Sequence, residues 1–254
     1  MTRALVTGGG ARLGRAMALY LGQRGYDVAV HYASSKDGAE DVAANIGGRS
    51  LALRADLLDE DQVQALLPAA AKAMGGPITC LINNASIFEH DDVASATRAS
   101  WDRHMESNLR APFVLTQAMA AQGLTPDTDG EPLAAGLIVN MIDQRVRKLT
   151  PDFASYTIAK MGLWAMTQTM AQALAPAIRV NGIGPGPTLQ GAAQSAGQFQ
   201  RQRGATILGR GAHPSDITAA LGYLLDSPAV TGQMLAVDGG QHLAWETPDV
   251  LGVE

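Results

Sequence analysis

The stretch Arg3-Ala4-Leu5-Val6-Thr7-Gly8-Gly9-Gly10-Ala11-Arg12-Leu13-Gly14 decides how this chain is read. An apolar run of strand type, Arg3 to Val6, passes into a glycine-rich turn, and a helical pattern continues from Gly14 to Arg24. Glycines at such a turn let the main chain adopt conformations closed to other residues and approach a ligand closely. Because the turn opens a helix, unpaired amides and the positive end of the helix dipole meet there, which favours a pyrophosphate. Tight packing alone would also explain an isolated glycine turn, so its weight depends on the rest of the chain.

Further short β-type runs follow at Asp27 to Tyr32, Ser50 to Arg54, Ile78 to Ile82, Gly136 to Asn140, Ala177 to Asn181 and Met234 to Val237. Between them lie helical stretches at Gly38 to Ile46, Asp59 to Met74, Ser100 to Ala120, Phe153 to Ala173 and Ser215 to Leu225. Strand and helix alternating in this way predict an α/β chain with a parallel sheet covered on both faces. No linker rich in Pro, Gly and Ser divides it, so residues 1–254 read as one domain. Two segments lack regular pattern: Gln122 to Ala135, expected to be a surface loop, and Thr188 to Gly209, expected to be a mobile lid over a substrate. The helix at Tyr156 to Met170 carries Met161, Leu163, Trp164, Met166 and Met170 on several faces, as a helix buried between subunits would.

Composition excludes several function classes. Hydrophobic residues make up 46%, charged residues 17%, and the net charge is -5. No basic run marks a nucleic-acid binder; Arg145, Arg147 and Lys148 form the densest positive cluster. Cys80 is the only cysteine, which excludes an internal disulfide and a cysteine-ligated metal and suits a reducing cytoplasm. Neither a signal peptide nor a membrane-spanning segment is expected.

Ligands in open parallel sheets gather at the carboxyl ends of strands. Asp56 and Leu57 after the third strand, and Asn83-Asn84-Ala85 after the fourth, therefore join the glycine turn at one site. An acid ending the second strand would bind the ribose hydroxyls of NADH. Here the stretch is His31-Tyr32-Ala33-Ser34-Ser35-Lys36, with donors for a phosphate and no carboxylate before Asp37, which favours NADPH over NADH.

Tyr156 and Lys160 stand one helical turn apart, so phenol and ammonium share a face. Asp143 precedes Tyr156 by thirteen residues. A carboxyl there disfavours phenolate and holds or relays a proton, which suits a basic ring nitrogen better than an alcohol oxygen.

With the glycine turn, Asn83-Asn84-Ala85, Asn108, the Tyr156/Lys160 pair, Asn181 to Gly186 and Val237-Asp238-Gly239-Gly240 in order, the chain resembles the short-chain dehydrogenase/reductase superfamily over nearly its whole length. Within it the chain looks most like the pteridine reductases, including bacterial dihydrofolate and dihydromonapterin reductases. Four features carry that closer resemblance: Arg12 in place of a glycine, His31-Tyr32, Ser86 with Phe88, and Asp143 in place of a serine. The resemblance implies a Rossmann-type doubly wound sheet of about seven strands, a cytoplasmic location and a homotetramer.

It further implies that Tyr156 donates or relays a proton with Asp143 as partner, and that Lys160 holds the nicotinamide ribose and lowers the tyrosine pKa. Asn108 would position a water joining that lysine to solvent. Arg12 and Ser86 would reach cofactor phosphates and a pterin head group, and Phe88 would cover the pterin's outer face. Gly8, Leu13, Gly14, His31, Tyr32, Ser34, Ser35, Asp56, Leu57, Asn84 and Ala85 would complete the cofactor site. Gly184, Pro185 and Gly186 would fix the nicotinamide edge, with Thr188 beside it. Where Ser34 stands some pteridine reductases have an arginine, so phosphate binding would lean on His31, Ser35, Lys36 and Arg12.

The expected reaction is reduction of a dihydropterin or dihydrofolate C=N bond, with no metal. Two rival readings stand beside it: a carbonyl or 3-oxoacyl reductase, and a non-catalytic NADP-sensing binding protein. Single residues have plainer readings too. Phe88 suits a core, Asp143 suits a turn cap or a partner of Arg145 or Arg147, and Arg12 suits a surface cation. The tail from Gln241 to Glu254, with His242 and Trp245, suits packing against another subunit.

Overall fold

The computed structural model describes residues 2–191 and 194–245. Its first three strands are β1 (Arg3–Val6), β2 (Asp27–Tyr32) and β3 (Leu51–Arg54). They alternate with helices α1 (Arg12–Gln23), α2 (Lys36–Ile46) and α3 (Glu60–Met74). Strand β4 (Cys80–Asn83) then leads to helices α4 (Arg98–Met105) and α5 (Ala111–Ala120). A small antiparallel pair, β5 (Asp127–Thr128) and β6 (Pro132–Leu133), precedes β7 (Gly136–Met141) and helix α6 (Ala154–Leu174). The chain continues through β8 (Ile178–Pro185), α7 (Ala196–Gly204), α8 (Pro214–Asp226) and β9 (Met234–Val237).

Seven strands pair in parallel in the order β3-β2-β1-β4-β7-β8-β9. Val6 is in register with both Val30 and Ile82, so β1 is an interior strand, and the chain reverses its direction of winding between β1 and β4. That reversal opens a crevice at the carboxyl ends of the two strands. Strands β4 and β7 are buried at every position, as expected for apolar runs covered on both faces.

Alternation along the strands separates two cores. Ala4 and Val6 face Met17, Leu21, Ile217 and Leu221, whereas Leu5 faces Val63, Leu67, Leu115 and Met119. The fold is the single Rossmann-type sheet expected, with helices on both faces.

Three elements differ from expectation. The helix expected over Ser100 to Ala120 is broken by a π-helical turn at Glu106–Arg110. Pro112 explains the break, because its nitrogen has no hydrogen to donate to the carbonyl of Asn108 four residues earlier. Within the loop expected at Gln122 to Ala135, Gly130 (φ +114) turns the β5–β6 hairpin. Within the patternless segment Thr188 to Gly209, α7 forms behind a Ser195/Gln198 capping box. Of the expected tail, Gln241–Leu243 forms a single 3-10 turn, and residues 246–254 lie outside the described residues. Among the described residues, no helix is long and apolar enough to cross a membrane and no cluster of side chains suits a metal.

Candidate active site

The glycine turn is shaped by contacts that exclude side chains. Gly8 has φ +62, and a Cβ on Gly14 would lie 2.1 Å from the Gly8 carbonyl oxygen, so α1 packs directly on the turn. A Cβ on Gly38 would lie 2.6 Å from the Gly10 oxygen, which brings the start of α2 equally close. Arg12 has φ +51, a left-handed conformation that suits glycine and costs another residue about 1 kcal/mol. Its guanidinium reaches the carbonyls of Gln190 at 2.9 Å and Leu189 at 3.2 Å.

Helix α1 has no side-chain cap and no acid in its first turn. The amides at its start are thus not claimed by a capping side chain, and Ala11, Arg12, Leu13 and Gly14 line a cleft of about 450 Å³. This arrangement fits a pyrophosphate. The Thr7 hydroxyl accepts from the amides of Asn84 (2.9 Å) and Ala85 (3.0 Å), while the Asn84 side chain donates to the Thr7 carbonyl at 2.8 Å. Turn and β4 loop are thereby locked together.

His31 requires a correction. Its ring is buried: Nδ1 accepts from the Gly8 amide at 3.1 Å, and Nε2 lies 3.0 Å from the Ala55 carbonyl, to which it donates. Burial pushes its pKa down, so the ring is neutral, and both nitrogens are committed. His31 braces the glycine turn and has no free donor for a phosphate. Ser34, Ser35 and Lys36 are exposed at the end of β2, with Lys36 3.6 Å from Glu40. Tyr32, Asp56 and Leu57 lie near the carboxyl ends of β2 and β3, outside the lining of the cleft.

At the other end of the cleft Tyr156 donates to Asp143 Oδ2 at 2.9 Å. Asp143 Oδ1 accepts from the Arg145 amide at 2.8 Å, so the carboxyl caps a turn and holds the phenol at once. Burial raises the Asp143 pKa above the ordinary carboxylate range. Burial and the neighbouring Asp143 raise that of Tyr156 well above its usual value, so the phenol stays protonated. Lys160 is buried; it donates to the Met141 carbonyl at 2.8 Å, and desolvation lowers its pKa to about 8. Its ammonium lies 5.6 Å from the Tyr156 ring centroid.

Asn108 sits in the π-helical turn with its side chain committed: Oδ1 accepts from the Ile87 amide and Nδ2 donates to the Ile87 carbonyl, both at 2.8 Å. Any link from position 108 to Lys160 would therefore come from the backbone.

Phe88 is 53% exposed and lines the cleft, which removes the core reading. It stacks on Phe153 (centroids 4.2 Å apart, planes at 8°) and meets Tyr156 edge-on at 4.7 Å. Phe153 was not singled out in the sequence; it precedes α6 with φ +59 and lies 5.1 Å beneath the Arg145 guanidinium.

The cleft brings together Gly8, Arg12, Leu13, Gly14, Asn84, Ala85, Ser86, Phe88, Asp143, Tyr156, Lys160, Pro185, Gly186 and Thr188. Ala11, Met141, Ile142 and Leu189 also line it and were missed, although each adjoins a residue or strand end already marked. Gly184 packs instead against the Asp143–Gln144 turn.

A family model described as Enoyl-(Acyl carrier protein) reductase matches residues 10–242. The 3-oxoacyl-[acyl-carrier-protein] reductase FabG of Staphylococcus aureus is 30% identical over 248 residues, covering 94% of this chain and 98% of that protein. Among solved structures, FolM Alternative dihydrofolate reductase 1 from Brucella canis, complexed with NADP, is 44% identical with a TM-score of 0.90, covering 98% of this chain and 97% of the other. The angucycline C-6 ketoreductase LanV with bound NADP is 30% identical with a TM-score of 0.85, covering 96% of each chain. Matched over most of its length, and with the glycine turn and the Tyr156/Lys160 pair facing one cleft, the chain belongs to the short-chain dehydrogenase/reductase family of oxidoreductases.

Proposed function

We propose that the chain is an NADPH-dependent reductase of a pterin C=N bond, converting a dihydropterin or dihydrofolate to its tetrahydro form. The observation that carries the reading is the 2.9 Å hydrogen bond from Tyr156 to Asp143, two groups whose pKa values burial raises. Reduction of a C=N bond leaves a basic nitrogen that needs a proton, whereas a reduced ketone first develops alkoxide charge. Asp143 and Tyr156 together keep a proton at the cleft wall and pass it toward that nitrogen.

When bound, NADPH supplies the hydride. Its pyrophosphate would rest on the amides at the start of α1, its 2′-phosphate beside Ser34, Ser35 and Lys36, and its nicotinamide end near Pro185, Gly186 and Thr188. Lys160 would hold the nicotinamide ribose, and the backbone around Asn108 would carry a water to it. Arg12 and Ser86 would orient the pterin, and Phe88, braced by Phe153, would cover it. The likeness to FolM at 44% identity supports this substrate class.

A carbonyl or 3-oxoacyl reductase is the second reading, favoured by the 30% identity to FabG. The two separate in one assay: loss of NADPH absorbance with 7,8-dihydrofolate, dihydromonapterin, dihydrobiopterin and a panel of ketones in separate wells. Turnover of a dihydropterin with silent ketones is the expected result; ketone turnover alone would overturn it. We place the protein in the cytoplasm, which its buried free cysteine Cys80 suits, and propose a homotetramer because α6 exposes Ile158 and Met161, with Trp101 also exposed on the adjacent α4.

A further inference from the structure

Behind Phe88 and Tyr156 lies a buried polar cluster that the reaction above does not use. Asp91 and Ser155 are 1% exposed and His104 is fully buried. The Ser155 amide donates to Asp91 Oδ1 at 3.1 Å, and the Ser155 hydroxyl donates to Asp91 Oδ2. The Ser100 hydroxyl donates to the same oxygen at 3.2 Å, and the Asp91 carbonyl accepts from the Ala154 amide at 3.2 Å. Helix α6 starts behind Phe153, which supplies no side-chain cap. Its first amides are therefore satisfied by Asp91, a residue more than sixty positions earlier, whose charge also suits a helix amino terminus.

The histidine fixes the direction of the chain of bonds. The Glu89 amide donates to His104 Nε2 at 3.1 Å, so that nitrogen carries the lone pair and Nδ1 carries the hydrogen. Nδ1 lies 2.6 Å from Ser155 Oγ. The bonds then run from His104 to Ser155 to Asp91. This is not a hydrolytic triad, because the serine hydrogen points at the carboxylate, the histidine donates to the hydroxyl, and all three side chains are closed to substrate.

What the cluster controls is spacing. Glu89 directly follows Phe88 and Asp91 stands two residues beyond it, while Ser155 directly precedes Tyr156. The His104 ring lies edge-on to Tyr156 at 6.0 Å. We propose that Asp91, Ser155 and His104 are positioning residues that set the gap between the Phe88 ring and the Tyr156 hydroxyl, and so the width of the substrate slot. The part of this that concerns ring-shaped substrates rests on the function proposed above; the part that concerns Tyr156 does not.

The test compares wild type with Ser155→Ala and Ser155→Thr. Expected for Ser155→Ala is a rise of about tenfold in substrate KM with a fall in kcat, while NADPH KM stays within about twofold. Ser155→Thr, which keeps a hydroxyl, should recover most of the loss. NMR of 15N-histidine protein should show His104 as the neutral Nδ1–H tautomer. Unchanged kinetics in Ser155→Ala, equal losses toward NADPH and substrate, failure of Ser155→Thr to rescue, or an Nε2–H tautomer would each overturn the proposal. If wild type reduces a ketone and no dihydropterin, the pterin reading fails by itself. The same comparison with that ketone then decides the positioning role.

Discussion

Asp143 serves two masters, holding the Arg145 amide with one oxygen and the Tyr156 phenol with the other. The turn that delivers the carboxyl to the cleft is thus stabilised by the same group that engages the Tyr156 hydroxyl. Removing the carboxyl alters both, so substitutions must separate hydrogen bonding from acidity.

Tyr156→Phe should lower turnover by about 10²–10⁴-fold, the usual contribution of a positioned proton donor. Asp143→Asn keeps an acceptor for Arg145 and should lower dihydropterin reduction more than it lowers any ketone activity. Steady-state rates with both substrate classes check this. Equal losses on both would assign the carboxyl a general structural part.

The pH profile follows from the raised Asp143 pKa. A group whose pKa is raised keeps its proton to higher pH, so the donating form exists below that pKa and is lost above it. With dihydropterin, kcat/KM should therefore fall as pH rises through the apparent pKa of the Asp143–Tyr156 pair. In Asp143→Asn this limb should vanish from the profile.

Lys160→Met should abolish reduction and yet raise thermal stability near neutral pH. The buried ammonium titrates at about 8 against 10.5 when unburied. Its folded pKa is depressed, so it destabilises the fold fully below about pH 8, by up to ~3 kcal/mol, and progressively less up to the unfolded value. The lost bond to Met141 offsets about 1 kcal/mol of the gain. Melting temperatures at pH 7 and pH 9.5 check the sign: the advantage of the variant should shrink at the higher pH.

Gly14→Ala places a methyl where 2.1 Å separates it from the Gly8 oxygen. The turn must move, at a cost of about 1–3 kcal/mol, and NADPH affinity should fall with it. Arg12→Gly should do the reverse for stability, relieving a left-handed arginine while losing the bonds to Leu189 and Gln190. Melting curves together with NADPH titration followed by fluorescence distinguish the two.

The sheet was legible because its strands are short apolar runs separated by helical periodicity, and the glycine turn fixed where the chain begins to wind. Asp143, Tyr156 and Lys160 were legible through spacing on one helix and the strand before it. His31 was misread because a polar residue at a strand end looks available until a turn and a neighbouring strand close over it. Phe153, Asp91 and His104 come from separate segments, and no spacing joins them. The break in the helix near Asn108 and the start of α7 did have local signals, in Pro112 and in the Ser195/Gln198 pair.

Pro112 has a consequence beyond the break it causes. An imino acid edits the chemistry of Asn108 from a distance of one helical turn, denying its carbonyl the amide that an α-helix would supply. Position 108 can thus be altered without changing any side chain that faces the cleft. Pro112→Ala would offer that carbonyl a competitor for whatever else it binds, which makes the hydrogen-bond ladder of a supporting helix an adjustable part of the enzyme.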